Sequence, residues 1–310
     1  MTRAVVFAYH DVGVRCLSVL LARGVDVALV VTHEDDPGET IWFESVAALA
    51  RRHDLPVVTP ATAKDTELAS RIGAIAPDFL FSFYYRRLIP ESVLGLARRG
   101  AFNMHGSLLP KFRGRSPVNW AILEGETETG ATLHYMAARP DVGPIVGQDA
   151  VTILPDDRAL DVFRKVTCAA ERLLDHTLPS LVDGSAVAVA QVEEQATTFG
   201  GRKPEDGLID WSHDAAAVHN LVRAVAPPYP GAFTTLRGRR VFVHRTVLRE
   251  TAPHRATPLH LHGDDGRCFA VCGDGRTVLL VEAASRDGSP FDLTALARDI
   301  GERPQPLTRT

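Results

Sequence analysis

Cysteine is scarce in this 310-residue chain, limited to Cys16, Cys168, Cys268 and Cys272. No CxxC pair occurs. Cys268 and Cys272 lie four apart without a companion His or Cys cluster, so the pattern supports neither a metal site nor a disulfide scaffold. Thiols this sparse fit a reducing cytoplasm, the expected location. No apolar run reaches about 18 residues, and the stretch in the opening MTRAVVFAYHDVG is too short for a signal peptide, so no membrane insertion is expected. An excess of one charge is also missing. The 34 basic and 38 acidic residues leave a formal net charge of -4. That argues against a nucleic-acid coat or a polybasic anchor, although a local basic groove is compatible with a balanced total. The loop YHDVG, expected after the first strand, holds Asp11 and a lone Gly13 where open parallel sheets place ligands. It is not a GxGxxG dinucleotide fingerprint.

What is present is alternation. A Val-rich strand at 4–8, a helix at 14–22 and a strand at 26–32 form a βαβ signature. Helices are predicted at 45–53, 66–75 and 90–98, and strands at 55–58, 79–83 and 101–104. FLFSF at 79–83 is apolar nearly throughout, as expected of a central strand covered on both faces. The fold class is therefore α/β, with a mostly parallel Rossmann-like sheet and helices on both faces. Further along, a helix is predicted at 116–123, strands at 131–136 and 145–151 around the loop AARPDVG, and a long amphipathic helix at 159–178 that Pro179 ends.

The composition shifts after Leu181. Short strands are predicted at 187–192, 240–247, 268–271 and 277–281, with a helix at 215–225 closed by Pro227–Pro228. This pattern predicts a small β-rich, OB-like C-terminal domain. The expected boundaries are 1–185 and 200–300. The last ten residues, GERPQPLTRT, read as a frayed tail.

The densest polar segment is FNMHGSLLPKFRGR. Asn103 and His105 share strand parity, so both side chains can point to one side, at the C-terminal end of a strand where open sheets carry active sites. His105 titrates near neutrality and can shuttle a proton or, as imidazolium, donate to an oxyanion. Asn103 can donate an amide N–H without changing charge. The pair suits acyl transfer through a tetrahedral intermediate. A neutral core histidine is the competing reading. Ser107 has no GxSxG elbow around it, which disfavours a serine hydrolase. Asp141 in RPDVG is either a local turn cap or, if it faces His105, the group that orients the ring and helps take a proton from an incoming ammonium. Arg113 and Arg115 are candidates for anionic substrate groups, against plain solvated arginines.

These residues carry a resemblance. Asn103, His105, Ser107 to Pro110, Arg113 and Gly114, followed by Asp141 and Gly143, match N-x-H-x-S-L-L-P-x-x-R-G and D-x-G, the signature of the folate-dependent formyltransferase family. The similarity runs from residue 3 to about residue 245 and fades beyond about 250. Within the family, VVFAYHDVG, THEDDPGE, FSFYYR, GAFNMHGSLLPKFRGRSPVNWAI, GETETGATLH and HNLVRAVAPPYPGAF resemble the formyltransferase half of the bifunctional enzyme of aminoarabinose lipid A modification, part of lipopolysaccharide biosynthesis.

The resemblance implies transfer of a formyl group from N10-formyltetrahydrofolate to the 4-amine of UDP-4-amino-4-deoxy-L-arabinose, with 1–185 as the catalytic domain and no metal. It makes His105 the catalytic acid/base, with Asn103 and Asp141 beside it. It assigns folate contacts to Arg87, Leu88 and Ile89, to Ala137, Ala138, Arg139, Pro140 and Asp141, and to Arg115. Arg87 stands where the relative has a histidine. The relative also carries a dehydrogenase domain, so the resemblance implies a separate dehydrogenase/decarboxylase and an aminotransferase in the pathway. Methionyl-tRNA formylation, another nucleotide-linked amino sugar, and a noncatalytic scaffold remain as alternatives. The first of these would need a basic surface for phosphates.

Overall fold

In the computed structural model, residues 1–249, 259–301 and 305–307 are described. The chain divides into two units. One comprises Met1–Pro117, Glu128–Thr152 and Phe163–Gly200, the other Val118–Thr127, Ile153–Val162 and Gly201–Thr310.

The first unit is built on a seven-stranded sheet. Its parallel part pairs β1 (Arg3–Ala8), β2 (Asp26–Val31), β3 (Val57–Val58), β4 (Phe79–Phe83) and β5 (Gly100–His105) in the order β3-β2-β1-β4-β5. A short ladder pairs β6 (Arg113–Gly114) with β9 (Thr198–Phe199). The large sheet continues antiparallel from β5 into β7 (Glu128–Tyr135) and β8 (Ile145–Thr152). The sheet is thus mixed, with a mostly parallel body. Every residue of β4 is buried, as the apolar run FLFSF requires.

Strand parity puts helices on both faces. Val5, Phe7, Leu29, Val31, Leu80 and Ala101 pack with Leu68 and Ile72 of α3 (Thr66–Ile75) and Val93 of α4 (Glu91–Leu94). The opposite parity includes Ala8, against which α1 (His10–Ala22) is laid so closely that a Cβ on Gly13 would stand 3.1 Å from the Ala8 Cβ. The same Cβ would stand 3.0 Å from Val46 of α2 (Val46–Arg52). Ion pairs Arg15–Glu171 and Arg23–Asp175 link α1 to α6 (Ala159–Asp183).

Several local expectations are corrected. YHDVG is not a loop. The helix starts at His10, with Tyr9 extended (φ -154) as its N-cap and His10 itself turning the chain at φ 68. Gly13 serves the close approach of helix and strand. The predicted helix at 90–98 is only the four-residue α4. Pro179 lies inside α6, which runs on to Asp183. Proline removes the N–H that would reach the Asp175 carbonyl, but buried Leu178 and Leu181 anchor the turns on either side. The segment 187–192 forms no strand beyond a single bridge, Val189 with Ile145.

The second unit contains α5 (Pro117–Leu123, from Val118 on), α7 (Ala215–Val225) and α8 (Leu293–Ile300). Its sheet comprises β10 (Ala232–Leu236), β11 (Arg239–Arg249), β12 (His260–Asp264), β13 (Arg267–Val271), β14 (Thr277–Ser285) and β15 (Gln305–Pro306). The order β10-β11-β14-β13-β12-β15 is antiparallel throughout, an open half-barrel. The tail is not wholly frayed, since Gln305–Pro306 pairs with β12 and Leu307 is buried; 302–304 and 308–310 lie outside the described residues. Among the described residues no helix is long and apolar enough to cross a membrane.

Candidate active site

β5 ends at His105, and the chain turns at once through Gly106 into SLLP. Its antiparallel neighbour β7 puts His134 opposite Asn103 and Thr132 opposite His105. The alternation of strand side chains therefore places Asn103, His105 and His134 together. The turn joining β7 to β8 folds back over them and brings in Asp141.

Asp141 is the hub. Its Oδ1 lies 3.6 Å from His105 Nδ1, 3.6 Å from His134 Nε2 and 3.4 Å from Asn103 Nδ2. Its Oδ2 accepts the Gly114 backbone N–H at 2.9 Å. Asp141 adopts φ 58, left-handed backbone that an aspartate tolerates better than most residues. Gly114 stands at φ 98, and a Cβ there would come within 2.3 Å of the Phe199 carbonyl oxygen. Only glycine fits both demands. Gly143, the glycine of D-x-G, has a Cβ direction blocked at 1.8 Å by the Tyr135 carbonyl oxygen.

The proton positions follow from the partners. His105 Nε2 lies 2.8 Å from the Phe112 carbonyl, which can only accept, so Nε2 carries a hydrogen. In the neutral ring Nδ1 is then a lone pair facing Asp141. His134 Nδ1 lies 2.8 Å from the Tyr135 carbonyl and donates to it. Its Nε2 in the neutral ring accepts, so Asn103 turns its amide nitrogen toward it at 3.2 Å. Both Asn103 N–H directions are thus engaged, by His134 and by Asp141.

Burial lowers the His105 pKa below the ordinary histidine value; Asp141 and the Phe112 carbonyl oppose this, and His134 reinforces it. For Asp141, burial raises the pKa, but His105, His134 and the Gly114 N–H outweigh it and hold the carboxyl well below the usual carboxylate range. The resting pair is a neutral imidazole beside a carboxylate. A proton arriving at His105 Nδ1 meets an anion at ion-pair distance, an arrangement able to accept a proton from an incoming ammonium.

The other predicted residues divide clearly. The Arg115 side chain is exposed and makes no hydrogen bond among the described residues. Arg113 is not available to a substrate. It is buried, paired through both Nη atoms with Glu193 at 3.0 and 2.9 Å, and bonded to Gln191 Oε1 at 3.1 and 2.8 Å. Ser107 donates to the Lys111 carbonyl at 2.7 Å, a loop contact. Ala137, Ala138, Arg139 and Pro140 are exposed, as are Arg87 and Leu88, with Ile89 half-buried. Arg87 Nη1 donates to the Pro60 carbonyl. Tyr84, just past β4, packs against Gly106 so closely that a Cβ there would overlap the Tyr84 hydroxyl. Sequence reading missed His134 and Gln191. GATLH alternates as a strand, but nothing local states which residue of β5 His134 opposes. Among the described residues no cluster of three His, Cys, Asp or Glu is arranged to hold a metal ion.

A family model described as "Formyl transferase" matches residues 12–178, more than half of the chain. The chain belongs to this family. A second, "Formyl transferase, C-terminal domain", matches residues 202–300, so the likeness continues past the point near 250 where it was expected to fade. The expected activity class, a folate-dependent N-formyltransferase, stands. Solved structures share the fold of this formyltransferase. One is an N-formyltransferase from Helicobacter canadensis in complex with folinic acid and dTDP-3-aminofucose, with a TM-score of 0.70 and 18% identity over 94% of this chain and 100% of that chain. Another is WlaRD, a sugar 3N-formyl transferase in the presence of dTDP and 5-N-formyl-THF, with a TM-score of 0.67 and 18% identity over 90% of this chain and 97% of that one. HypX from Aquifex aeolicus in complex with tetrahydrofolic acid matches with a TM-score of 0.63 and 19% identity over 97% of this chain and 47% of its own.

Proposed function

We propose that this formyltransferase moves the formyl group of N10-formyltetrahydrofolate to the amine of a nucleotide-linked amino sugar, with 1–185 as the catalytic domain and 200–300 as the smaller domain. The observation that carries the reading is the buried Asp141 carboxylate set among Asn103, His105 and His134. The solved relatives with folates and dTDP or dTDP-3-aminofucose support the donor and acceptor classes. Among acceptors, the sequence resemblance favours UDP-4-amino-4-deoxy-L-arabinose. On that reading the product enters lipid A modification, and separate enzymes oxidise, decarboxylate and aminate the sugar.

The residues fit the donor. The exposed backbone at 87–89 and 137–140 offers N–H and C=O groups to a heterocycle edge, and Arg115 offers a charge to a carboxylate. The Arg87 guanidinium donates to the Pro60 carbonyl, which leaves the backbone of position 87 as the part offered to the donor on this reading. When bound, N10-formyltetrahydrofolate supplies the formyl carbon. His105 Nδ1 takes the proton released by the attacking amine, Asp141 stabilises the resulting imidazolium, and the proton passes to the folate nitrogen as its bond to the formyl carbon breaks. Asn103, oriented by His134, lies beside the same carboxylate and is placed to bond the reacting groups once its N–H is released from Asp141.

The test is direct. Purified protein is given N10-formyltetrahydrofolate with UDP-aminoarabinose, with dTDP-linked 3-amino sugars, or with charged methionyl-tRNA, and formylated product is followed by mass. Product from an amino-sugar nucleotide is expected. Product from methionyl-tRNA alone would overturn the sugar reading, and no product from any amine would leave the scaffold alternative.

A further inference from the structure

We propose that Gln191 is a positioning residue for formyl transfer: its amide locks the left-handed turn at Asp141 to the Arg113–Gly114 loop and so sets where the carboxylate meets His105. The inference rests on the reading of Asp141 and His105 as the proton-handling pair.

The turn needs such a lock. Among the described residues, no backbone N–H from Ala137 to Gly143 bonds to another element, and the segment's own support is the single turn at Pro140–Asp141. The turn is held instead from two sides. Gly114 N–H takes the Asp141 side chain at 2.9 Å. Gln191 Nε2 takes its main chain, donating to the Asp141 carbonyl at 2.9 Å and to the Gly143 carbonyl at 2.8 Å. The orientation of Gln191 is itself determined. Its Oε1 accepts from Arg113 Nε and Nη2, which have no acceptor capacity, so its nitrogen must face the turn. Glu193 completes the fork on Arg113.

Arg113 and Gly114 are adjacent, so one loop grips the carboxylate through a backbone amide and the carbonyls through Gln191. The segment bearing Gln191 is fastened to both neighbours. Val189 exchanges backbone bonds with Ile145 at 2.7 and 2.8 Å, and Arg113 N–H reaches the Thr197 carbonyl at 2.9 Å. Gln191 touches neither His105 nor the Asp141 carboxylate in any recorded bond. Its effect is on placement, and a misplacement near 1 Å in such a site costs about a hundredfold in rate.

Two substitutions separate the lock from plain structural support. Gln191→Met removes the donors without adding charge. Gln191→Glu keeps an oxygen for Arg113 but puts acceptor oxygen against the two carbonyls. Both are expected to lower kcat about 10- to 100-fold with KM values within about threefold. Glu193→Gln, altered at the exposed end of the network, retains near-normal kcat. In the free Gln191→Met protein the His105 imidazole, followed by NMR, titrates at lower pH than in the parent, because Asp141 no longer supports its charge. Melting temperatures establish that each variant is folded, and if Gln191→Met fails to fold, Gln191→Glu carries the kinetic test. Normal kcat in Gln191→Glu would show that holding Arg113 is all the residue does and would overturn the proposal. So would a rise in KM with kcat unchanged, or an unmoved His105 titration in folded Gln191→Met. The titration needs no substrate, so a shifted His105 in a protein that formylates none of the amines would sink the functional reading and leave the positioning role standing.

Discussion

The backbone N–H of Gly114 donates to Asp141 Oδ2 at 2.9 Å, tying the RG pair of one loop to the aspartate of another 27 residues later. The bond leaves Oδ1 directed at His105, His134 and Asn103. One backbone amide thus divides the carboxylate into an anchored oxygen and a working one.

Gly114→Ala tests that anchor. The new Cβ would meet the Phe199 carbonyl at 2.3 Å in backbone with φ 98. A stability loss on the order of 1–3 kcal/mol is expected, seen as a lower Tm, together with a lower kcat. A variant with both values unchanged would show that the loop can move aside without cost to the site.

Asp141→Asn removes the anion beside His105 while keeping the side-chain shape. We expect kcat to fall by about 10²- to 10⁴-fold, with the KM for the folate within a few-fold. Steady-state kinetics check this, and a selective rise in KM would instead make Asp141 a binding residue.

The pH dependence of kcat/KM follows from His105. Its depressed pKa keeps the imidazole neutral around pH 7, so the acid limb of the profile should lie below the ordinary histidine value of 6.5. Asp141 raises the His105 pKa, so Asp141→Asn should move any residual acid limb further down. An acid limb above 6.5 would require a protonated resting His105.

Arg113→Ala and Arg115→Ala should behave oppositely. Arg113 is buried, and its loss strands Gln191 Oε1; a Tm decrease equivalent to about 1–3 kcal/mol is expected. Arg115 is exposed, so its removal should leave Tm nearly unchanged and raise KM for an anionic substrate. Thermal melts and KM values on the two proteins decide the assignment.

His10 gives a stability signature separate from catalysis. It is buried against Phe43, Trp42 and Phe163, and burial, with Arg86 assisting, pushes its pKa down to about 3. Between that value and 6.5 the unfolded chain binds the proton and the folded chain does not. The contribution is therefore fully present above 6.5 and is lost as pH falls through the window, with a slope of up to about 1.4 kcal/mol per pH unit. Denaturant melts from pH 7 to 4 should show a smaller slope in His10→Phe than in the parent.

By itself the sequence determined what short-range chemistry controls. FLFSF had to be a buried central strand, and α3 and α7 lie over 66–75 and 215–225 with Asp65 and Asp214 accepting from their first-turn N–H groups. Asn103 and His105 stood out because residue type and strand parity carry chemistry before any contact is known, whereas Asp141, a turn residue, stood out mainly through the family resemblance. Tertiary structure decided the rest. His134 belongs beside Asn103 only through the antiparallel register of β5 and β7. Gln191 acts on Asp141 across 50 residues. Arg113 changed from a substrate ligand to a buried strut because Gln191 and Glu193 already satisfy its guanidinium. Pro179 failed to end α6 because packing at Leu178 and Leu181 outweighs one missing hydrogen bond. Periodicity and capping act within a few residues, whereas register and burial pair residues that the chain brings together only on folding.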